Sequence, residues 1–315
     1  MVSLRYHLVS LGAALLALAA GVVLGAGPLS TRISDIVSAA PSASGTADPA
    51  LVKKRLAYDD AYAAATANKI VARTLPGTRV VLVVAPGTPV RMVTDQLAIL
   101  GRSGAKVTAQ VTLTTAWTDP TQTTVLAGIT SQLAPPETVV DSSGSSAYGQ
   151  ASAALGAALL TRQPGAAPAA SEPAAALLAG LTQGGFLSTS GTPEVRANVA
   201  VLLTPKTSKV TAVAALLPLG PALDAASAGA VVSGPTGSAD SVAVLAAIRR
   251  DAAAKAAVST VDDADVITGR VAVVLALAQQ LAGRQGHYGS GSGAVPLSDA
   301  GVSPPVPFAR SVRIP

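Results

Sequence analysis

The chain has no cysteine, and its 315 residues include only two histidines and two methionines. The absence of cysteine excludes disulfides, thiolate catalysis and every zinc, haem or iron–sulfur site that needs a cysteine ligand. Soft metal ions prefer sulfur ligands, and imidazole suits several transition metals. Away from the N-terminal end only Met92 and His287 offer such groups. These two residues are therefore the candidate metal ligands.

Aromatic residues are scarce, at 3 % of the chain, and charged residues make up only 12 %. Binding of single-stranded nucleic acid needs aromatic side chains interleaved with basic ones. The net charge is +5, and the sequence has a single basic run, Lys53–Arg55. We interpret this run as a solvated patch near an anionic membrane surface. The composition therefore predicts no nucleic-acid partner.

The sequence motifs of common enzymes are missing as well. There is no phosphate-binding loop ending in Gly-Lys-Ser/Thr and no Gly-x-Ser-x-Gly elbow. A serine–histidine–aspartate triad would have to use His287, because His7 borders the apolar segment described next. His287 lies in a Gly-rich tail, which is a poor setting for a catalytic base. We therefore expect no enzymatic activity and no bound cofactor.

One long apolar segment stands near the N-terminus. No charged residue occurs between Arg5 and Arg32, and the run Leu8–Ala26 is almost wholly apolar. As a helix this run spans about 29 Å, close to the hydrocarbon thickness of a bilayer. We predict a transmembrane helix at 8–27 after a short flank, 1–7, retained as a signal anchor with the rest of the chain outside the cytoplasm. A cleaved signal peptide is the alternative.

Small residues recur every four positions within this segment, at Ala17, Gly21 and Gly25. This spacing places them on one helix face and lets two membrane helices approach closely. The pattern predicts helix packing between copies of the chain. An ordinary apolar helix rich in alanine and glycine is the alternative, because the whole chain is rich in both.

The remainder alternates between short apolar runs and helical patterns. Runs rich in valine and bounded by turn residues predict strands that are buried on both faces, at 80–85, 198–204, 230–233 and 258–261. An alternating run at 106–114 predicts a half-covered strand. Helices are predicted between the strands, at 51–75, 90–101, 120–134, 147–162, 173–183, 238–255 and 263–282. The apolar stretch 207–228 is interrupted by prolines, which predicts a broken helix.

Such alternation predicts an α/β fold, with a mostly parallel sheet covered by helices on both faces. We assign 28–50 as a linker after the membrane helix and 284–315 as a Gly/Pro-rich tail. The similar runs VVLVVA and VAVLL suggest two related α/β halves, 51–162 and 173–283. A Pro/Ala-rich linker at 163–172 joins these halves.

Two further groups of residues carry alternative interpretations. Asp262, Asp263 and Asp265 could bind a hard cation, or they could favour the start of the helix predicted at 263–282. His287 and Tyr288 could form a metal or docking motif, or a turn that packs back onto the domain. The helix predicted at 238–255 is amphipathic, with Arg249 and Arg250 expected on its outer face.

Two segments of the sequence resemble a known family. Residues 1–30, MVSLRYHLVSLGAALLALAAGVVLGAGPLS, resemble the opening of the copper transporter (MctB) family of mycobacteria and related bacteria. Residues 256–291, AAVSTVDDADVITGRVAVVLALAQQLAGRQGHYGSG, are similar to that family's C-terminal signature. The resemblance implies a membrane protein of the cell envelope that lowers intracellular copper and forms a pore. Both the inner and the outer membrane are compatible with this resemblance.

One membrane helix cannot enclose a pore, so a channel would need several copies. The partners implied are therefore copper ions, the membrane and further copies of the chain. Copper is then a transported ion and not a tightly bound cofactor. A membrane-tethered α/β domain that acts as a non-catalytic scaffold in the envelope is the alternative function.

Overall fold

A computed structural model of the protein describes residues 48–138, 146–163 and 169–295. By its internal contacts the chain divides into two compact units, Met1–Tyr58 and Asp59–Pro315. The predicted membrane helix 8–27, with Ala17, Gly21 and Gly25, lies outside the described residues. Within the described ranges, no helix combines the length and the apolar character needed to cross a bilayer.

The first helix, α1, covers Pro49–Val71 and begins in the first unit. The carboxylate of Asp48 accepts a hydrogen bond from the backbone N–H of Ala50 at 2.9 Å, which supplies a partner to a free donor at the helix start. Apolar side chains of the first unit are exposed on this helix, including Leu51 and Tyr58 at 65 % and 71 %.

The second unit is built around one sheet, which has seven strands in the described ranges, in the order β3-β2-β1-β4-β5-β6-β7. The strands are β1 Arg79–Val84, β2 Lys106–Leu113, β3 Leu187–Gly191, β4 Val199–Leu203, β5 Ala230–Ser233, β6 Ser259–Val261 and β7 His287–Tyr288. All neighbours pair in parallel except β3, which is antiparallel to β2. The predicted α/β fold with a mostly parallel sheet is confirmed.

Both faces of the sheet are buried. Along β1, Val81 and Val83 belong to one apolar core, whereas Val80, Leu82 and Val84 belong to a second core on the opposite face. Alternate residues of a strand point to opposite faces, so only a sheet covered on both sides can bury the whole run VVLVV. The relationship between the two halves of the chain stays a prediction.

Helices supply the two covering layers. The first core takes apolar side chains from α3 Thr123–Leu133, α4 Ala147–Leu159, α5 Glu172–Gln183, α6 Val210–Leu216, α7 Leu219–Ala225, α8 Val244–Arg250 and α9 Ala252–Ala257. The second core takes side chains from the end of α1, from α2 Val90–Arg102 and from α10 Ile267–Leu281.

Three details of the sequence-based assignment are wrong. The helix predicted at 238–255 is two short helices, α8 and α9, separated at Asp251, whose carboxylate caps α9 by accepting from Ala254 N–H at 2.8 Å. The helix predicted from 263 begins only at Ile267. Two edge strands, β3 and β7, were not predicted.

The strand order reverses direction between β1 and β4. From β1 the chain passes through α2 to β2 on one side, and from β4 it passes through α6 and α7 to β5 on the other side. The carboxyl ends of β1 and β4 therefore lead into loops that diverge. Open α/β sheets bind ligands in the crevice at such a switch point.

Candidate functional site

The C-terminal signature segment converges on one buried carboxylate, that of Asp262. This residue directly follows β6 and has no exposed surface. Its Oδ1 lies 2.7 Å from a guanidinium nitrogen of Arg249, and its Oδ2 accepts backbone hydrogen bonds from Ser290 at 3.1 Å and Gly291 at 2.6 Å. The carboxylate thus ties the loop after β7 to the end of β6.

Arg249 is the cationic partner, and its expected position on an outer helix face is wrong. Only 3 % of its side chain is exposed. Its guanidinium also donates to Thr260 Oγ1 at 2.8 Å and to the carbonyls of Ser292 at 3.0 Å and Tyr288 at 2.9 Å. These bonds compensate for removing the charge from water, and they fix the loop 288–292 in place.

The glycines of the signature are explained by this arrangement. Gly289 has a φ of +132°, a region that other residues rarely adopt, and a Cβ there would collide with the carboxylate of Asp262. A Cβ at Gly291 would lie 2.7 Å from the same carboxylate. The backbone can approach Asp262 closely enough to hydrogen-bond only because both positions lack a side chain.

The other two aspartates of the acidic group have separate partners. Asp263 accepts from the backbone and hydroxyl of Ser290 at 2.8 and 3.0 Å, and Asp265 accepts from the backbone and hydroxyl of Thr236 at 2.8 and 2.9 Å. No acidic residue lies in the first turn of α10, so their expected role in starting that helix is wrong. In the described ranges no three potential ligands gather as a metal-binding group.

His287 lies in β7 and is half-buried. Its Nδ1 is 2.9 Å from Thr260 Oγ1. Thr260 Oγ1 also accepts from Arg249 Nε at 2.8 Å. The threonine hydroxyl therefore links the imidazole to the buried guanidinium.

The pKa of His287 is lowered to about 4, mainly by burial and further by the positive charges of Arg249 and Lys255, although the backbone of Lys255 opposes this shift. The imidazole is therefore neutral near pH 7. In either neutral tautomer Nδ1 is engaged with Thr260 Oγ1, so this nitrogen offers no free lone pair to a metal ion.

Met92, the second candidate ligand, lies in α2 with 3 % of its surface exposed and belongs to the second core. β1, which precedes α2, lies four strand spacings from β7, a distance of about 19 Å. The structure does not bring Met92 and His287 together, and the metal role of either residue stays a prediction. Arg249 and Thr260 were missed because nothing in the sequence marks which residues face Asp262.

Taken together, these features define a doubly wound α/β protein whose C-terminal signature forms a buried ion-pair network at the end of β6 and β7. A family profile described as "Copper transport outer membrane protein, MctB" matches residues 1–298, and the chain belongs to that family. The resemblance seen in residues 1–30 and 256–291 is thereby confirmed.

The similarity to individual relatives extends over nearly the whole chain. A protein named "Copper transporter MctB" from Mycobacterium tuberculosis (strain H37Rv) is 32 % identical over 318 residues, covering 95 % of this chain and 99 % of the relative. A protein of the same name from Mycobacterium leprae (strain TN) is 30 % identical over 335 residues, with the same coverage.

Proposed function

We propose that this protein acts in copper transport in the cell envelope and lowers the copper content of the cell. The support is the family match over residues 1–298, together with relatives named copper transporters that align over 95 % of the chain. The proposed role is non-catalytic. Copper is the transported substrate in this proposal and not a resident cofactor.

The proposal includes an N-terminal membrane anchor at 8–27 and a domain outside the cytoplasm. One anchor helix cannot enclose a channel, so a pore would be an assembly of several copies. The exposed apolar side chains of α1 in the first unit, Leu51, Leu56 and Tyr58, favour assembly because exposed apolar groups are stabilised by burial against a partner.

Copper in such an assembly would follow a route that binds it weakly. Copper(I) favours thiolate and thioether ligands, but the chain has no cysteine and Met92 is buried in a core. The Nδ1 atom of His287 is engaged by the Thr260 hydroxyl. Ions would then pass between copies of the chain, or through a partner, without stopping at a tight site.

Deletion of the gene tests the transport role. A strain without the protein should contain more copper and tolerate less copper in the medium, and the full-length chain supplied in trans should restore both. Unaltered copper content and tolerance in the deletion strain would contradict the proposal. The size of the full-length protein in detergent tests the pore, because a monomer would leave no enclosed route.

A scaffold in the cell envelope is the second candidate, and it also draws on the exposed apolar side chains of α1. A scaffold that binds other envelope proteins would leave cell copper unchanged when it is deleted. The two candidates therefore give opposite results in the copper measurement.

A further inference from the structure

A crevice opens at the switch point of the sheet, away from the Asp262 network. Its volume is about 340 Å³, at the small end of the range for ligand sites. It is lined by the segments that follow β1, β4 and β5, and these contribute Pro86 and Gly87, Pro205 to Lys209, and Pro235. Together with Thr118, which follows β2, these loops build one concave surface at the sheet edge where doubly wound folds bind ligands.

The charged side chains that line this crevice are all positive. Lys206 and Lys209 line it, and no aspartate or glutamate does. Across the parts of the chain that the structure describes, no ion pair involves either lysine. Two ammonium groups at one concave site, with no carboxylate to neutralise them, favour an anionic ligand.

The position of Lys206 is set by the turn after β5. A Cβ at Gly237 would lie 3.0 Å from Cε and 3.2 Å from Nζ of Lys206, so the lysine lies directly over a glycine whose φ is +81°. The backbone carbonyl of Lys206 accepts a hydrogen bond from the Ser241 hydroxyl at 2.6 Å. The lysine is therefore held between the loops that follow β4 and β5.

Buried hydroxyls adjoin the crevice at the same edge of the sheet. Ser238 is fully buried, and its hydroxyl has no hydrogen-bond partner in the described residues. A Cβ at Gly234, the residue before Pro235, would lie 2.6 Å from the Ser238 oxygen and 3.1 Å from Thr204 Oγ1. Ser238 does not itself line the crevice, but its backbone N–H donates at 3.0 Å to the carbonyl of Pro235, which does.

We propose that this crevice binds a small ligand carrying an oxyanion group, either a phosphate or a carboxylate. Lysine recognises such groups as a point charge. A dinucleotide is excluded as the ligand, because the turn after β1 is Pro86-Gly87 and lacks the glycine pattern that admits a pyrophosphate. The proposal does not depend on the copper transport role, since it uses none of the candidate copper ligands.

The test is equilibrium dialysis of the full-length protein in a non-ionic detergent, with inorganic phosphate and citrate as separate probes. We expect saturable binding of at least one probe at one site per chain, and the tighter probe identifies the preferred group. Replacing both lysines, Lys206→Ala with Lys209→Ala, should weaken binding at least about tenfold, since a hydrogen bond to a charged group contributes about 1.5–3 kcal/mol.

The matched control is Lys69→Ala with Lys255→Ala, two exposed lysines outside the crevice. This pair removes the same net charge and should leave binding unchanged within about twofold. An equal loss in both double variants would overturn the proposal, because the binding would then follow the overall charge and not the crevice. Lack of saturable binding by both probes would overturn it as well.

Discussion

Replacing Asp262 with asparagine tests the buried ion pair. Asp262 has no exposed surface, and the side chain of Arg249, whose guanidinium lies 2.7 Å away, is 3 % exposed. Asp262→Asn keeps the size of the side chain but leaves the arginine charge buried without its counter-charge. Removing one partner of a buried pair costs about 3–5 kcal/mol. We expect a loss of about 3 kcal/mol in the free energy of unfolding, at the lower end of this range, because the guanidinium keeps its other acceptors.

The neighbouring Asp263 provides the control. Among the described residues its carboxylate accepts hydrogen bonds only from Ser290, at the exposed end of the same loop, and asparagine tolerates its positive φ of 68°. Asp263→Asn should therefore cost less than about 1 kcal/mol. The measurement is urea denaturation of the full-length protein, followed by far-ultraviolet circular dichroism. Equal losses in the two variants would refute the assigned role of the ion pair.

Two further predictions concern His287 and Gly289. The pKa of His287 is lowered from 6.5 to about 4 in the folded state, so the unfolded chain takes up a proton first as the pH falls. The free energy of unfolding should therefore decrease from pH 6.5 to pH 4. The variant His287→Gln should remove about 1–2 kcal/mol of that decrease, a value that allows for partial exposure of the ring. An identical pH dependence in both proteins would contradict this. Gly289→Ala should lower the melting temperature by several degrees, because the added Cβ meets Asp262. The control is Gly101→Ala, in α2, where a Cβ has open space. This control variant should leave the melting temperature unchanged or raise it.

Composition and local pattern were enough to predict the central part of the fold. The strands β1 and β4 are short valine- and leucine-rich runs between turn residues, and only a doubly covered sheet buries such runs. The strand β5 was predicted with its observed bounds, 230–233. The prolines 218 and 221 also correctly predicted a broken helix, since α6 ends at Leu216 and α7 begins at Leu219.

The edges of the sheet could not be predicted in the same way. The sequence of β3, LSTSG, is polar because three of its five residues are exposed, and β7 is only two residues long between glycines. Both strands exist because distant segments supply their hydrogen-bonding partners. A single sequence does not reveal such long-range pairing, whereas the runs of β1 and β4 carry their own signal.

The candidate site was predicted only in part, for the same reason. The sequence singled out Asp262 and His287 as unusual, but it did not place Arg249 between them. Arginine in a short helix such as VLAAIRR is typical of a solvated helix end. Its burial follows from the approach of the loop 288–292, and this loop can approach only because glycine occupies positions 289 and 291.

The shortness of β7 has a consequence for self-association. Without β7, the outer edge of β6 would present unpaired backbone groups. Instead, β7 pairs with Thr260 and Val261, and Val295 in turn pairs with Tyr288 of β7. At the opposite edge, β3 is short and polar and ends in Gly191, whose φ is +87°. Within the part of the sheet that the structure describes, neither border offers the long flat apolar strand that templates growth of one sheet into the next. Edge-to-edge pairing of two such sheets is thereby disfavoured, and so is conversion of the folded state into fibrils.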